Sequence, residues 1–139
     1  MQIINSSIDL HTKGHADIID LTPGIREILR ENDIGSGCVN IFVPGSTGAV
    51  TTIEYESGAL QDLKRFLDEI IPPGRNYEHD RAWGDGNGHS HLRAALLGPS
   101  LSVPVINGEL QLGTWQQIVF IDCDNRSRSR NINVQIVGE

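Results

Sequence analysis

The chain has 139 residues, 38% hydrophobic and 21% charged, with a net charge of −7. This length suits one domain, residues 1–139, with a core that needs no disulfide staples. The acidic balance argues against a general nucleic-acid surface and against anionic membranes, since both need a basic face.

Residues 2–8 read as a first strand, His11-Thr-Lys-Gly14 as a turn, and 15–21 as a continuation. Thr22-Pro23 looks like an N-cap followed by proline at the first helical position, and Ile25, Ile28 and Leu29 fall on one helical face. Residues 37–43 and the β-branched 49–55 read as strands joined by Pro44-Gly-Ser-Thr-Gly48. Ser57 is expected to cap a helix with a stripe of Leu60, Leu63, Leu67 and Ile70, Phe66 beside it, ended by Pro72-Pro-Gly74. After a glycine-rich segment, 91–97 reads as a short helix. The rest is β: 101–106, a hairpin turn at Asn107-Gly108, 109–121 and 131–137. About seven strands, mostly antiparallel, and two or three helices make an α+β domain.

The two cysteines, Cys38 and Cys123, sit beside apolar runs and read as reduced, buried thiols. The first residues, Met1-Gln-Ile-Ile-Asn, lack the basic and apolar regions of a signal peptide, and no apolar run approaches the roughly 20 residues of a membrane span. The expectation is a cytoplasmic protein that binds neither nucleic acid nor membrane.

Chemistry concentrates in residues 77–92, Tyr-Glu-His-Asp-Arg-Ala-Trp-Gly-Asp-Gly-Asn-Gly-His-Ser-His-Leu. Three of the five histidines, His79, His89 and His91, lie here with Asp80, Asp85 and Asn87. Imidazoles and carboxylates serve both a divalent metal and proton transfer near neutral pH. On a strand His89 and His91 would share a face; on a helix they diverge by about 200°, which makes joint ligation awkward. His91 with His79, in a flexible loop, therefore forms the expected core of a metal site, with His89 as third member.

Elsewhere, the 44–48 turn can hold an anion on its backbone and on Ser46 and Thr47, or be a plain glycine turn. Glu54 and Glu56 alternate on a strand, where one could act as a base or both lie on a solvated face. Arg126-Ser-Arg-Ser-Arg130 sets three guanidiniums on one side of an extended segment, suited to phosphate or to salt bridges. Trp115, read as mid-strand, either walls a ring pocket or packs in the core.

Several of these motifs resemble the YjbQ-like family (UPF0047). The segment Asn107-Gly-Glu-Leu-Gln-Leu-Gly-Thr-Trp-Gln-Gln-Ile118, with Ser100, Val103 and Val105 upstream, is similar to its signature. Asn87-Gly-His-Ser-His-Leu92 resembles its Asn-Ala-His-Ala-His-Leu motif. Tyr77-Glu-His-Asp80 and Arg128-Ser-Arg130 resemble its His-Asp and Arg-x-Arg elements. The resemblance spans nearly the whole chain. It implies a YjbQ-like fold, a homotrimer with histidines near a subunit boundary, a divalent metal (zinc or magnesium) and a secondary thiamine-phosphate synthase activity on small phosphorylated substrates. On that reading His79, His91 and Glu54 are catalytic. Ser46, Thr47, Asn87, Trp115, Arg128 and Arg130 bind substrate, and His79, His89 and His91 hold metal. One motif departs: where the family reads Pro-His-Thr-Thr-Ala-Ala, this chain has Pro44-Gly45-Ser46-Thr47-Gly48-Ala49, without the histidine. Two alternatives stay open: a metal-dependent hydrolase of a small phosphorylated compound, using a metal-bound water, and a non-catalytic ligand-binding trimer, which that departure supports.

Overall fold

The computed structural model describes residues 1–139. In chain order the elements are β1 (Gln2–Thr12), β2 (Asp17–Asp20), α1 (Thr22–Glu31), β3 (Ser36–Phe42), β4 (Gly48–Glu54) and α2 (Ser57–Ile70). They continue with α3 (Glu78–Trp83), α4 (Gly88–Leu97), β5 (Ser100–Ile106), β6 (Glu109–Leu110), β7 (Gln116–Asp122) and β8 (Arg128–Gly138). The strands form two antiparallel sheets, ordered β1-β8-β3-β5-β6 and β2-β7-β4. This is the expected α+β class, with one more strand and one more helix than the sequence pattern resolved.

β7 explains the layering. Its run Ile118-Val-Phe-Ile121 is wholly buried, as continuous apolar strands are when both faces are covered. Ile118 and Phe120 join the core between the two sheets, with Val39 and Ile41 of β3, Val103 and Val105 of β5, and the Ile132, Val134, Ile136 alternation of β8. Val119 and Ile121 face the other way, onto Ile18 and onto Leu67 of α2. The small sheet is thus the middle layer, with the large sheet on one side and α2 on the other. Its strand β4 also packs on α4.

Some local expectations change for identifiable reasons. Thr22 does not cap α1: its hydroxyl accepts the Ile118 N–H at 2.8 Å, and its own N–H donates to Asp20 Oδ1. Glu56, not Ser57, caps α2, its carboxylate accepting the N–H groups of Gly58 and Ala59; those bonds hold the Glu56 carboxyl below the usual carboxylate range. Leu60, Leu63 and Leu67 reach the core, but Phe66 and Ile70 are exposed. The stretch read as one strand, 109–121, splits at Gln111–Trp115 as the chain leaves the large sheet for the small one. The Asn107-Gly108 turn holds, with φ of 53° and 76° fitting a primed hairpin turn. Both cysteines are unpaired, and burial pushes the Cys123 thiol up to about 12. No helix is long and apolar enough to cross a membrane.

Candidate functional site

One end of the small sheet carries a buried lattice of charge. Asp122 closes β7 and Asp124 follows it, both 0% exposed. Asp122 accepts Arg130 Nε and Nη2 at 2.9 Å each, the Thr12 hydroxyl at 2.6 Å and the Asp124 N–H at 3.0 Å. Asp124 accepts Arg128 Nε and the Thr47 hydroxyl, both at 2.9 Å, while Thr47 Oγ1 in turn accepts Arg130 Nη2 at 2.8 Å. Two carboxylates and two guanidiniums neutralise each other, so the burial is tolerated. Arg130 also lies over the Phe120 ring, 5.9 Å from its centroid, which ties the lattice to the core.

The chain returns to this lattice at 14–16. Gly14, His15 and Ala16 are left-handed in succession, at φ of 73°, 55° and 62°. Non-glycine residues pay roughly 1–2 kcal/mol each for that conformation. Holding them there are His15 N–H to Asp124 O at 2.7 Å and Ala16 N–H to Asp122 O at 2.8 Å.

The histidine segment docks on the same lattice. Asn87 does not cap α4 with its side chain; its Oδ1 accepts the Asn125 N–H at 3.2 Å, and its Nδ2 faces Asp124 Oδ1 at 3.5 Å. Asp80 Oδ1 accepts the Gly88 N–H at 2.9 Å, binding α3 to the start of α4. His79, expected in a loop, is on helix α3, and its ring lies 4.3 Å from that of His91, centre to centre. The helical spacing separates the other pair: His89 is buried against Tyr77, while His91 is half-buried on the outer side. Burial, reinforced by the Arg93 charge, pushes the His89 imidazole below its usual range. Arg93 is itself buried, donating to Ile71 O and Asp68 and clamping α4 to the end of α2.

His91 lines two depressions. One, of about 240 Å³, is shared with Gly45, Ser46 and Gly48; the other, of about 280 Å³, with Tyr77 and His79. His79, His91 and Ser46 are therefore brought together around α4, with Asn87, Arg128 and Arg130 behind them. Several expected members stand differently. The Thr47 hydroxyl is consumed by Asp124 and Arg130, so it positions rather than binds. Arg128 commits Nε and Nη2 to Asp124, and Arg130 commits the same two nitrogens to Asp122, while Arg126 precedes β8 and is exposed. Glu54 and Trp115 are not at the site: they line a separate cleft of about 450 Å³ with Asp20, Tyr55 and Glu56. Gly48 and Glu54 begin and end β4, so the two ends are about 20 Å apart at 3.3 Å per residue. Trp115, expected mid-strand, is 72% exposed on the loop before β7. A groove of about 360 Å³ between β4 and β5 is lined by no titratable side chain.

Sequence reasoning missed Asp122 and Asp124. The available signal was their alternation, matching that of Arg128 and Arg130 across a short turn. Burial alone would raise the Asp124 carboxyl, but the Thr47 hydroxyl and Arg128 outweigh it and hold Asp124 below its usual range. A depressed carboxylate contributes stability that is full above its unfolded pKa, about 3.9, and is lost as pH falls through the folded value. Thr47→Val is expected to destabilise the protein by about 1.5–3 kcal/mol at pH 7, as for loss of a hydrogen bond to a charged group. The gap from the wild type should narrow below about pH 4. Urea melts across pH 2–7 check this; a gap constant with pH would refute it.

A two-sheet α+β domain with a histidine–aspartate site seated on a buried arginine–aspartate lattice is the class that fold and site define. The chain matches the family model described as UPF0047 protein YjbQ-like over residues 6–139, and it belongs to that family. It is 38% identical to a UPF0047 protein of Methanothermobacter thermautotrophicus over 139 residues, all of this chain and 95% of that one. A UPF0047 protein of Archaeoglobus fulgidus is also 38% identical, over 92% of this chain and 97% of its own. Among solved structures, a hypothetical protein from Aeropyrum pernix K1 superposes with a TM-score of 0.91 at 32% identity, covering 98% of this chain and 99% of that chain. A YbjQ-like protein of unknown function from Sulfolobus solfataricus P2 gives 0.88 at 31%, covering 99% and 100%.

Proposed function

We propose that this protein handles a small phosphorylated molecule at the His79–His91 site, with thiamine-phosphate synthase-like transferase chemistry, as a homotrimer. The observation that carries the reading is the cavity where His91 meets Ser46 and the glycines of the 44–48 turn. Ser46 and the turn's backbone offer donors to phosphate oxygens, and Arg128 and Arg130 stand behind with the guanidinium edges that the aspartates leave over. His91, half-buried and beside His79, moves the proton. His79 Nδ1 is buried with no hydrogen-bond partner, which fits a divalent ion, zinc or magnesium, at this segment. Such an ion, when bound, supplies charge neutralisation for a diphosphate leaving group. The reading replaces His89 as a ligand, because that ring is buried against Tyr77.

Exposed Leu92 and Leu96 of α4, together with Trp83, support a subunit contact beside the histidines. In a trimer Glu54 and Trp115 reach a histidine site only from a neighbouring subunit. One feature favours a second reading, a ligand-binding trimer without catalysis: the turn carries Gly45 where the resemblance to the family implies a histidine. A Cβ there would lie 3.5 Å from Arg130 Nη1.

His91→Ala tests the reading. Alanine suits the helix, so folding should survive. Turnover of a hydroxymethylpyrimidine diphosphate with a thiazole phosphate should fall by about 100-fold or more, as for loss of a general acid or base. Unchanged turnover would remove His91 from the chemistry. Binding of both phosphates without turnover in the wild type would favour the non-catalytic reading. Sedimentation equilibrium checks the trimer.

A further inference from the structure

We propose that His79, Asp80 and Asp85 form the divalent-cation site of this segment, one imidazole with two carboxylates, selective for zinc or manganese over magnesium. The inference rests on the reading of this segment as the ligand site, and it replaces the three-histidine set with a different chemistry.

The spacing of the ligand atoms is the main argument. His79 Nδ1 lies 3.6 Å from Asp80 Oδ1 and 3.5 Å from Asp85 Oδ1. Hydrogen bonds to nitrogen span about 2.7–3.2 Å, so these distances are too long for that. Ligands bound at about 2.0–2.2 Å in tetrahedral geometry stand roughly 3.3–3.6 Å from one another, which is the separation seen. One atom from each residue falls within a mutual 4.8 Å. His79 Nδ1 has no water-facing surface and no hydrogen-bond partner, a costly state for a buried imidazole nitrogen unless something else occupies its lone pair.

The surroundings hold the carboxylates in place. Asp80 Oδ1 is oriented by the Gly88 N–H at 2.9 Å and Asp85 Oδ1 by the Asn87 N–H at 3.2 Å. The Asp85 carbonyl accepts Asn125 Nδ2 at 3.0 Å. Outer contacts of this kind fix metal ligands. Asp85 lies between Gly84 and Gly86, at φ of 66° and 65° and with open space around both, so its carboxylate can close on an ion. One imidazole among carboxylates suits zinc or manganese. Magnesium prefers all-oxygen octahedra and gives up its waters reluctantly.

The test titrates the chelator-treated full chain with Zn²⁺, Mn²⁺ and Mg²⁺ by calorimetry, for the wild type, Asp85→Asn and Asp85→His. Asp85 is exposed, so neither change should lower the metal-free melting temperature. The wild type should take one zinc per chain, more tightly than magnesium. Asp85→Asn should weaken zinc by about tenfold or more, and Asp85→His should restore zinc while losing manganese. Wild-type zinc affinity in Asp85→Asn overturns the assignment. So does a wild type that binds no metal, which identifies the cluster as an ion pair only. If that metal-free protein still binds the phosphorylated substrates, the cation site falls and the functional reading stands. If zinc binds as described but neither phosphate does, the cation site stands and the functional reading falls.

Discussion

Asp122→Ala is expected to cost about 3–5 kcal/mol, as for breaking a buried ion pair by removing one partner. The carboxylate accepts two donors from Arg130, the Thr12 hydroxyl and the Asp124 N–H, at zero exposure. Alanine would leave the guanidinium buried beside Phe120 without its main counter-charge, and Thr12 with only the Arg128 carbonyl, at 3.2 Å, to donate to. The raised pKa of Arg130, caused first by its hydrogen bonds to Asp122, has the same origin: the charged form depends on this partner. With a typical stability of about 5–15 kcal/mol, such a loss removes much of the folding free energy. At a urea m-value of about 1–3 kcal/mol/M, the midpoint should fall by one to several molar units. The double change Asp122→Leu with Arg130→Met removes both charges and should recover most of the loss, because a matched apolar pair needs no compensation. A single variant within about 1 kcal/mol of the wild type would mean the lattice contributes little.

Gly88→Ala is expected to damage the site more than its one added methyl suggests. A Cβ at position 88 would meet Tyr77 Cβ at 2.7 Å and Cγ at 3.1 Å, with Asp80 Oδ1 at 3.2 Å. Tyr77 is anchored, its hydroxyl donating to Pro72 O at 2.6 Å, so it cannot simply step aside. Overpacking of this kind costs about 1–3 kcal/mol. The strain falls where α3 meets α4, so it should separate His79 from His91 and loosen the Asp80 bond to the Gly88 N–H. Zinc affinity should drop together with the melting temperature. Asp85→Asn, by contrast, should lower zinc affinity alone. A Gly88→Ala protein that melts lower but binds zinc as the wild type does would show that the helix junction is structural and does not set the site.

Much of this was legible locally. The alternation of β8, the Asn107-Gly108 turn and the Ile25, Ile28, Leu29 face of α1 follow from periods of 2 and 3.6 residues and from turn chemistry, which depend on near neighbours in sequence. Residues 77–92 stood out for the same reason, since their histidines and aspartates are contiguous. Helical spacing at 89 and 91 also foretold that the two rings would part.

What the sequence by itself determined is the α+β class, the family and the segment where titratable groups gather. Only the tertiary structure decided which of those groups are free to act. Whether a hydroxyl or guanidinium is available depends on partners supplied by distant strands: Thr47 is taken by Asp124, 77 residues away, and Thr12 by Asp122, 110 away. Burial turned His89 inward, and the length of β4 set Glu54 and Trp115 at the far end of the molecule. Residues 77–92 carry their ligands in their own order of residues. The lattice beneath them exists because two aspartates and two arginines had to neutralise each other once the sheets closed over them.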